Sequence, residues 1–194
     1  MVCSWCVGNR LLYDYHNNEW GIPLHDDKRQ FEYLTLEVMQ CGLSWLLILK
    51  KREAIRAAFA DFDYRRVAKY TEQDIYAALD VPDMIKSVSK IRAVVSNAKI
   101  FMQIQNEFGS FSKWLWSYTD NKTYVYKSHQ HALPASNNLS EDVSGYLRKR
   151  GMKYLGPITV YSHLQAAGII NDHEESCHMY KYINENFPVS MTDD

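Results

Sequence analysis

The chain has 194 residues, 46% of them hydrophobic and 23% charged, which supplies enough apolar material for one domain with a buried core and excludes a disordered chain. A net charge of −1 excludes a strongly basic molecule drawn to polyanions by its whole-molecule field, so any nucleic-acid contact has to come from local patches. The longest purely apolar run, Trp45 to Leu49, is far short of the ~20 residues of a membrane span, and Met1-Val2-Cys3-Ser4-Trp5 carries neither the basic start nor the apolar region of a signal peptide, so a cytoplasmic location with no membrane partner is expected.

With eight glycines, five prolines and no repeat, the chain reads as all-α, and its amphipathic segments follow in order. Helices are predicted over Asp27 to Cys41, Trp45 to Phe59, Glu72 to Leu79, Met84 to Glu107, Phe111 to Tyr118, Glu141 to Arg150 and Pro157 to Gly168. Asp26, Ser44, Ser110 and Ser140 are placed as N-caps, Gly42 as the left-handed residue closing the first helix, and Pro157 in a first turn. The polar stretch Thr119 to Asn138, with His129, His131 and Pro134, reads as a loop between two groups of helices. No linker divides the chain, so residues 1–194 are expected to form one domain, or two helical lobes around one cleft.

Two segments are basic and free of acids: Met84 to Ile100, with Lys86, Lys90, Arg92 and Lys99, and Gly145 to Leu155, with Arg148, Lys149, Arg150 and Lys153. Such segments can track phosphates or form the solvated face of a surface helix. The turn Asp80-Val81-Pro82-Asp83-Met84-Ile85-Lys86 joins two helices just before basic residues, as a helix-hairpin-helix does when it offers backbone amides to a phosphate, although Pro82-Asp83 stands where such hairpins usually carry glycine.

The four cysteines, Cys3, Cys6, Cys41 and Cys177, suit reduced thiols or metal ligands. His173 and Cys177 are four residues apart, on one face if that stretch is helical, and Cys3 and His16 offer a second Cys/His pair. Together they would make a closed, structural tetrahedral site joining the two ends of the chain, with Cys6 and His178 as rival ligands. The His-x-Glu and Pro-Cys-x-x-Cys elements of a zinc deaminase are missing, since Cys3-Ser4-Trp5-Cys6 lacks the proline.

On the Asp27 to Cys41 helix, Phe31, Leu34, Val38 and Cys41 share an arc, with Glu37 about 40° beyond it, at the edge of the buried face. Trp45 follows eight residues later. A carboxylate and an indole facing one cleft would suit a flat cationic ligand; the alternative is that Trp45 is core and Glu37 a surface residue.

Tyr15-His16-Asn17-Asn18-Glu19-Trp20-Gly21-Ile22-Pro23, Leu36-Glu37 followed by Gly42-Leu43-Ser44-Trp45, and Leu49-Lys50-Lys51-Arg52-Glu53 resemble the 3-methyladenine DNA glycosylase I family. Leu115-Trp116-Ser117, Lys149-Arg150-Gly151, Tyr154-Leu155-Gly156, Gln165-Ala166-Ala167-Gly168 and Asn171-Asp172-His173 continue the resemblance in order across nearly the whole chain. It implies an all-α helix-hairpin-helix glycosylase fold with a structural zinc held by Cys3, His16, His173 and Cys177. It also implies a base pocket at Glu37, Trp45 and Tyr15. A second pocket tyrosine usual in the family aligns with Leu12, with Tyr13 one position away as its candidate replacement.

The implied activity is removal of 3-methyladenine from alkylated double-stranded DNA by a monomer, with Lys86, Lys90, Arg148, Lys149 and Arg150 as phosphate contacts. Glu37 is the expected catalytic-site carboxylate, reading the base edge rather than standing in for the catalytic aspartate of other helix-hairpin-helix glycosylases. No lysine stands as nucleophile in the matching motifs, so a monofunctional hydrolase leaving an abasic site is expected. The rival readings are a non-catalytic, zinc-stabilised DNA-binding module and a protein-interaction domain on the same scaffold.

Overall fold

The computed structural model describes residues 1–127, 129 and 133–192. Its α-helices are α1 (Arg10–Asn18), α2 (Asp27–Gln40), α3 (Trp45–Ala58), α4 (Tyr64–Val67), α5 (Glu72–Asp80), α6 (Val88–Phe108), α7 (Phe111–Trp116), α8 (Asn138–Lys149), α9 (Pro157–Ala166) and α10 (His178–Asn186). No helix among the described residues is long and apolar enough to cross a membrane.

Local chemistry sets most boundaries. Asp26, Ser44 and Ser110 accept backbone N–H bonds from Arg29, Leu47 and Lys113, Pro157 opens α9, and Gly42 follows α2 at φ +79°. Ser140 is not the cap of α8. Asn137 is, in a reciprocal capping box with Ser140 as its N3 partner, so the helix starts three residues earlier than predicted. Helix α6 begins at Val88 rather than Met84 because Ser87 caps it, which lengthens the connection from α5 to residues 81–87.

An all-α description needs one correction. β1 (Thr123–Tyr126) and β2 (Val189–Thr192) pair in parallel, with Thr123 opposite Val189 and Tyr126 opposite Thr192. Part of the predicted loop is therefore strand; His131 lies outside the described residues. Helices α1, α4 and α10 are additional to those predicted.

The main apolar core runs from Phe31 to Ile170 and includes Phe59, Phe62, Ile91, Phe101, Phe111 and Trp116, all at most 2% exposed. Helix α2 runs through it with every residue from Gln30 to Met39 buried, because α3, α6, α7 and α9 all pack against it. Gly168 (φ +72°) marks a close crossing: a Cβ there would lie 2.5 Å from the Pro23 nitrogen and 2.6 Å from the Gly21 oxygen. That contact sets the segment after α1 against the end of α9, the two elements that flank the cleft described next.

Candidate base pocket and metal centre

The short helix α1 turns Tyr15 and His16 inward, and both are buried. Tyr15 belongs to a cleft of about 280 Å³ lined by Trp5, Tyr15, Trp20, Glu37, Gln40, Trp45, Leu133, Ser162 and Gln165. Glu37 and Gln40 come from α2, Trp45 from the first turn of α3, and Ser162 and Gln165 from α9. The Tyr15 and Trp45 rings lie 5.2 Å apart at 51°. Tyr13 is 45% exposed and does not line the cleft, because it sits about 100° around the helix from the inward face. Its suggested pocket role is thereby corrected.

Glu37 is not at the edge of a buried face; it is 3% exposed. Burial pushes its carboxyl up to about 8, and no donor among the described residues meets it. The Trp45 indole N–H is likewise buried without a partner among the described residues. Unsatisfied polar groups in a cleft are costly, and they mark where a ligand with matching groups would be held.

A charge network fixes the helices that carry these groups. Arg52 of α3 donates from both terminal nitrogens to Glu19, at 2.7 Å each, and from Nε to Glu32 of α2 at 2.9 Å. Burial opposes ionisation of Glu19, but the Arg52 guanidinium outweighs it and holds the carboxyl below its usual range.

The nearby cluster Cys3, His16, His173 and Cys177 is buried, with its four donor atoms within 4.8 Å of one another. The His173 Nδ1 lies 3.1 Å from His16 Nε2 and 3.4 Å from Cys3 Sγ, and Cys177 Sγ lies 3.4 Å from His16 Nε2. Edges of roughly 3.3 to 3.8 Å are those of a tetrahedron with metal–ligand bonds of about 2.0 to 2.3 Å. The surrounding bonds suit the same assignment: His173 Nε2 faces the Trp20 carbonyl at 3.1 Å, His16 Nδ1 faces Asn17 Oδ1 at 3.0 Å, and the amides of Glu174 and Met179 donate to the two sulfurs. These residues fit a structural Cys2His2 metal.

His173 and Cys177 do not share a helical face; His173 lies in irregular chain and Cys177 is the N-cap of α10. The rivals are otherwise engaged, Cys6 donating its thiol to the Cys3 carbonyl at 3.1 Å and exposed His178 lying 2.9 Å from the Met1 carbonyl. Trp5 and Trp20 connect the Cys/His cluster and the cleft, their rings 5.1 Å apart, with Trp20 4.5 Å from the His173 ring.

Of the basic residues, Lys86, Arg148 and Lys149 are exposed, Lys86 donating to the Leu79 and Val81 carbonyls at the end of α5. Lys90 is 9% exposed and bonds the Met39 and Cys41 carbonyls at 2.8 and 2.6 Å. It caps α2 from within, which corrects its assignment to phosphate. Arg150 is paired with Glu107 and lies over the Tyr146 ring.

The family model for methyladenine glycosylases matches residues 5–180. DNA-3-methyladenine glycosylase 1 of Escherichia coli (strain K12) is 37% identical over 179 residues, covering 92% of this chain and 96% of that one. DNA-3-methyladenine glycosylase of Haemophilus influenzae is 37% identical over 177 residues, covering 90% and 95%. A solved structure of 3-methyladenine DNA glycosylase I from Staphylococcus aureus, concerned with recognition of 3-methyladenine, is 38% identical with a TM-score of 0.86, over 91% of this chain and 94% of that one. A tyrosine-to-phenylalanine variant of 3-methyladenine DNA glycosylase I, solved in complex with 3-methyladenine, is 37% identical with a TM-score of 0.85, over 91% and 95%. A match over residues 5–180, a range that contains every residue lining the cleft, leaves one assignment: the chain belongs to the methyladenine glycosylase family.

Proposed function

We propose that this protein hydrolyses the N-glycosidic bond of 3-methyladenine in alkylated duplex DNA. The observation that carries the reading is a buried Glu37 carboxyl, without a partner among the described residues, in the same cleft as Trp45. Methylation at N3 leaves the nucleotide's adenine cationic and its bond to the sugar weakened. Ionising Glu37 in this cleft is unfavourable on its own, and a cationic base offsets that cost while a neutral adenine does not. The Trp45 indole stacks on the ring, with cation–π attraction adding to apolar contact.

The lesion is flipped out of the duplex into this cleft, since a base within the stack cannot reach it. Water then takes the sugar carbon as oxocarbenium character develops, the base leaves as a neutral molecule, and an abasic site remains. Lys86, Arg148 and Lys149 hold phosphates, and the α5–α6 connection serves as the helix-hairpin-helix. A zinc ion held by Cys3, His16, His173 and Cys177 would fasten residues 3–16 to 173–177, and with four protein ligands it supplies structure only. The chain works as a monomer and as one domain.

Single-turnover assay on methylated duplex tests this. The parent should release free 3-methyladenine and leave the strand uncut until alkali treatment, and Glu37→Gln should slow release at least tenfold. A parent that binds duplex and releases no methylated base would instead favour a DNA-binding module.

A further inference from the structure

One wall of the cleft is held by a buried carboxylate. The Asp172 side chain has 0% exposure. Its Oδ2 accepts from the Tyr161 hydroxyl at 2.5 Å and from Gln165 Nε2 at 2.8 Å, and its Oδ1 lies 2.8 Å from His129 Nδ1. Toward Gln165, Asp172 acts as an acceptor, so the amide must present nitrogen to it, and the carbonyl oxygen is turned the other way. Gln165 lines the cleft with Trp45 and Glu37, and its oxygen accepts from no group among the described residues. A flipped amide would set oxygen against oxygen inside the protein, which Asp172 prevents.

We infer that Gln165 is a specificity-determining residue whose carbonyl oxygen is a fixed acceptor for the exocyclic amino group of the bound base. In N3-methylated adenine that amino group carries the only N–H bonds of the ring system, so it is the one partner the oxygen can have on the base. An oxo group at the same ring position would bring two acceptors together and leave both unpaired. Asp172 and Tyr161 are positioning residues, acting through Gln165. The inference rests on reading the cleft as the base pocket.

The test titrates parent and Gln165→Met with free 3-methyladenine and with 3-methylhypoxanthine, its 6-oxo counterpart, alongside single-turnover release from methylated duplex. The parent should prefer the amino base. Gln165→Met, close in size but without the acceptor, should bind 3-methyladenine roughly threefold to tenfold more weakly, the range of one neutral hydrogen bond, and bind 3-methylhypoxanthine no more weakly than the parent does. If this variant loses cooperative melting, Gln165→Asn, too short to span Asp172 and the base, should show the same loss of preference. Equal weakening for both bases overturns the inference, as does unchanged free-base binding with slowed release, which would place Gln165 at the attacking water. A parent that binds neither base and releases none would defeat the pocket reading itself, an outcome distinct from an active parent whose preference Gln165→Met leaves intact.

Discussion

Burial raises the Glu37 carboxyl to about 8, whereas in the unfolded chain it titrates near its ordinary 4.5. Between those values the folded protein keeps a proton that the unfolded chain has lost, so stability falls as pH rises through the window and the cost is complete above it. A shift of that size is worth on the order of 5 kcal/mol. Glu37→Gln removes it: thermal melts should show the variant more stable than the parent above pH 8, with the difference shrinking to nothing near pH 4.5. Equal gains at both ends would mean that the ionisable group is not the source. Helical spacing offered Glu37 and Trp45 for one cleft, Tyr15 came from the family resemblance alone, and the structure places all three along the cleft. Trp5, Trp20 and Gln165 carried no such spacing signal. The tryptophans stand two residues after Cys3 and four after His16, so proximity to metal ligands was their trace, and Gln165 is defined by a partner seven residues away across a turn.

Among the helices, α2 shows how a basic residue can be misread from charge alone. Lys90 lies in an acid-free basic segment, yet its ammonium closes the carbonyl end of α2 just before the turn that leads to Trp45. Charge-assisted bonds to a helix C-terminus contribute about 1 to 3 kcal/mol when buried. Lys90→Met should therefore lower the melting temperature and leave the salt dependence of duplex binding unchanged. Arg148→Ala with Lys149→Ala should do the reverse, flattening the slope of affinity against salt at little cost in stability. A flattened slope for Lys90→Met would return it to the phosphate contacts. The starts of α2, α3, α7 and α9 were legible because Asp26, Ser44, Ser110 and Pro157 mark them in the sequence. Helices α1 and α10 were missed because each is only nine residues long, with Asn9 and Cys177 as their caps, and the β1–β2 pair because its partners lie 66 residues apart, from Thr123 to Val189.

For the whole molecule, the Cys/His cluster brings residues 3 and 16 against 173 and 177, and Cys3 also packs with Met179 and Trp20 there. Metal analysis should find about one zinc per chain in the parent and close to none in Cys177→Ala, with a lower melting temperature, while Cys6→Ala keeps its zinc. Trp5, Tyr15 and Trp20 all flank these ligands, so Cys177→Ala should also weaken binding of 3-methyladenine. Retained zinc in Cys177→Ala would move the site elsewhere. Helix α2 answers to different forces: it is covered by four helices, with no residue from Gln30 to Met39 reaching solvent appreciably. Opening such an element locally costs nearly as much as unfolding the protein, because there is no side from which it can fray. With the proposed zinc, the cleft would have one wall that yields when the metal is lost and one that does not. Under the proposed flipping of the lesion, the wall bearing Glu37 is a fixed template, and the deformation that brings base and enzyme together would fall on the DNA.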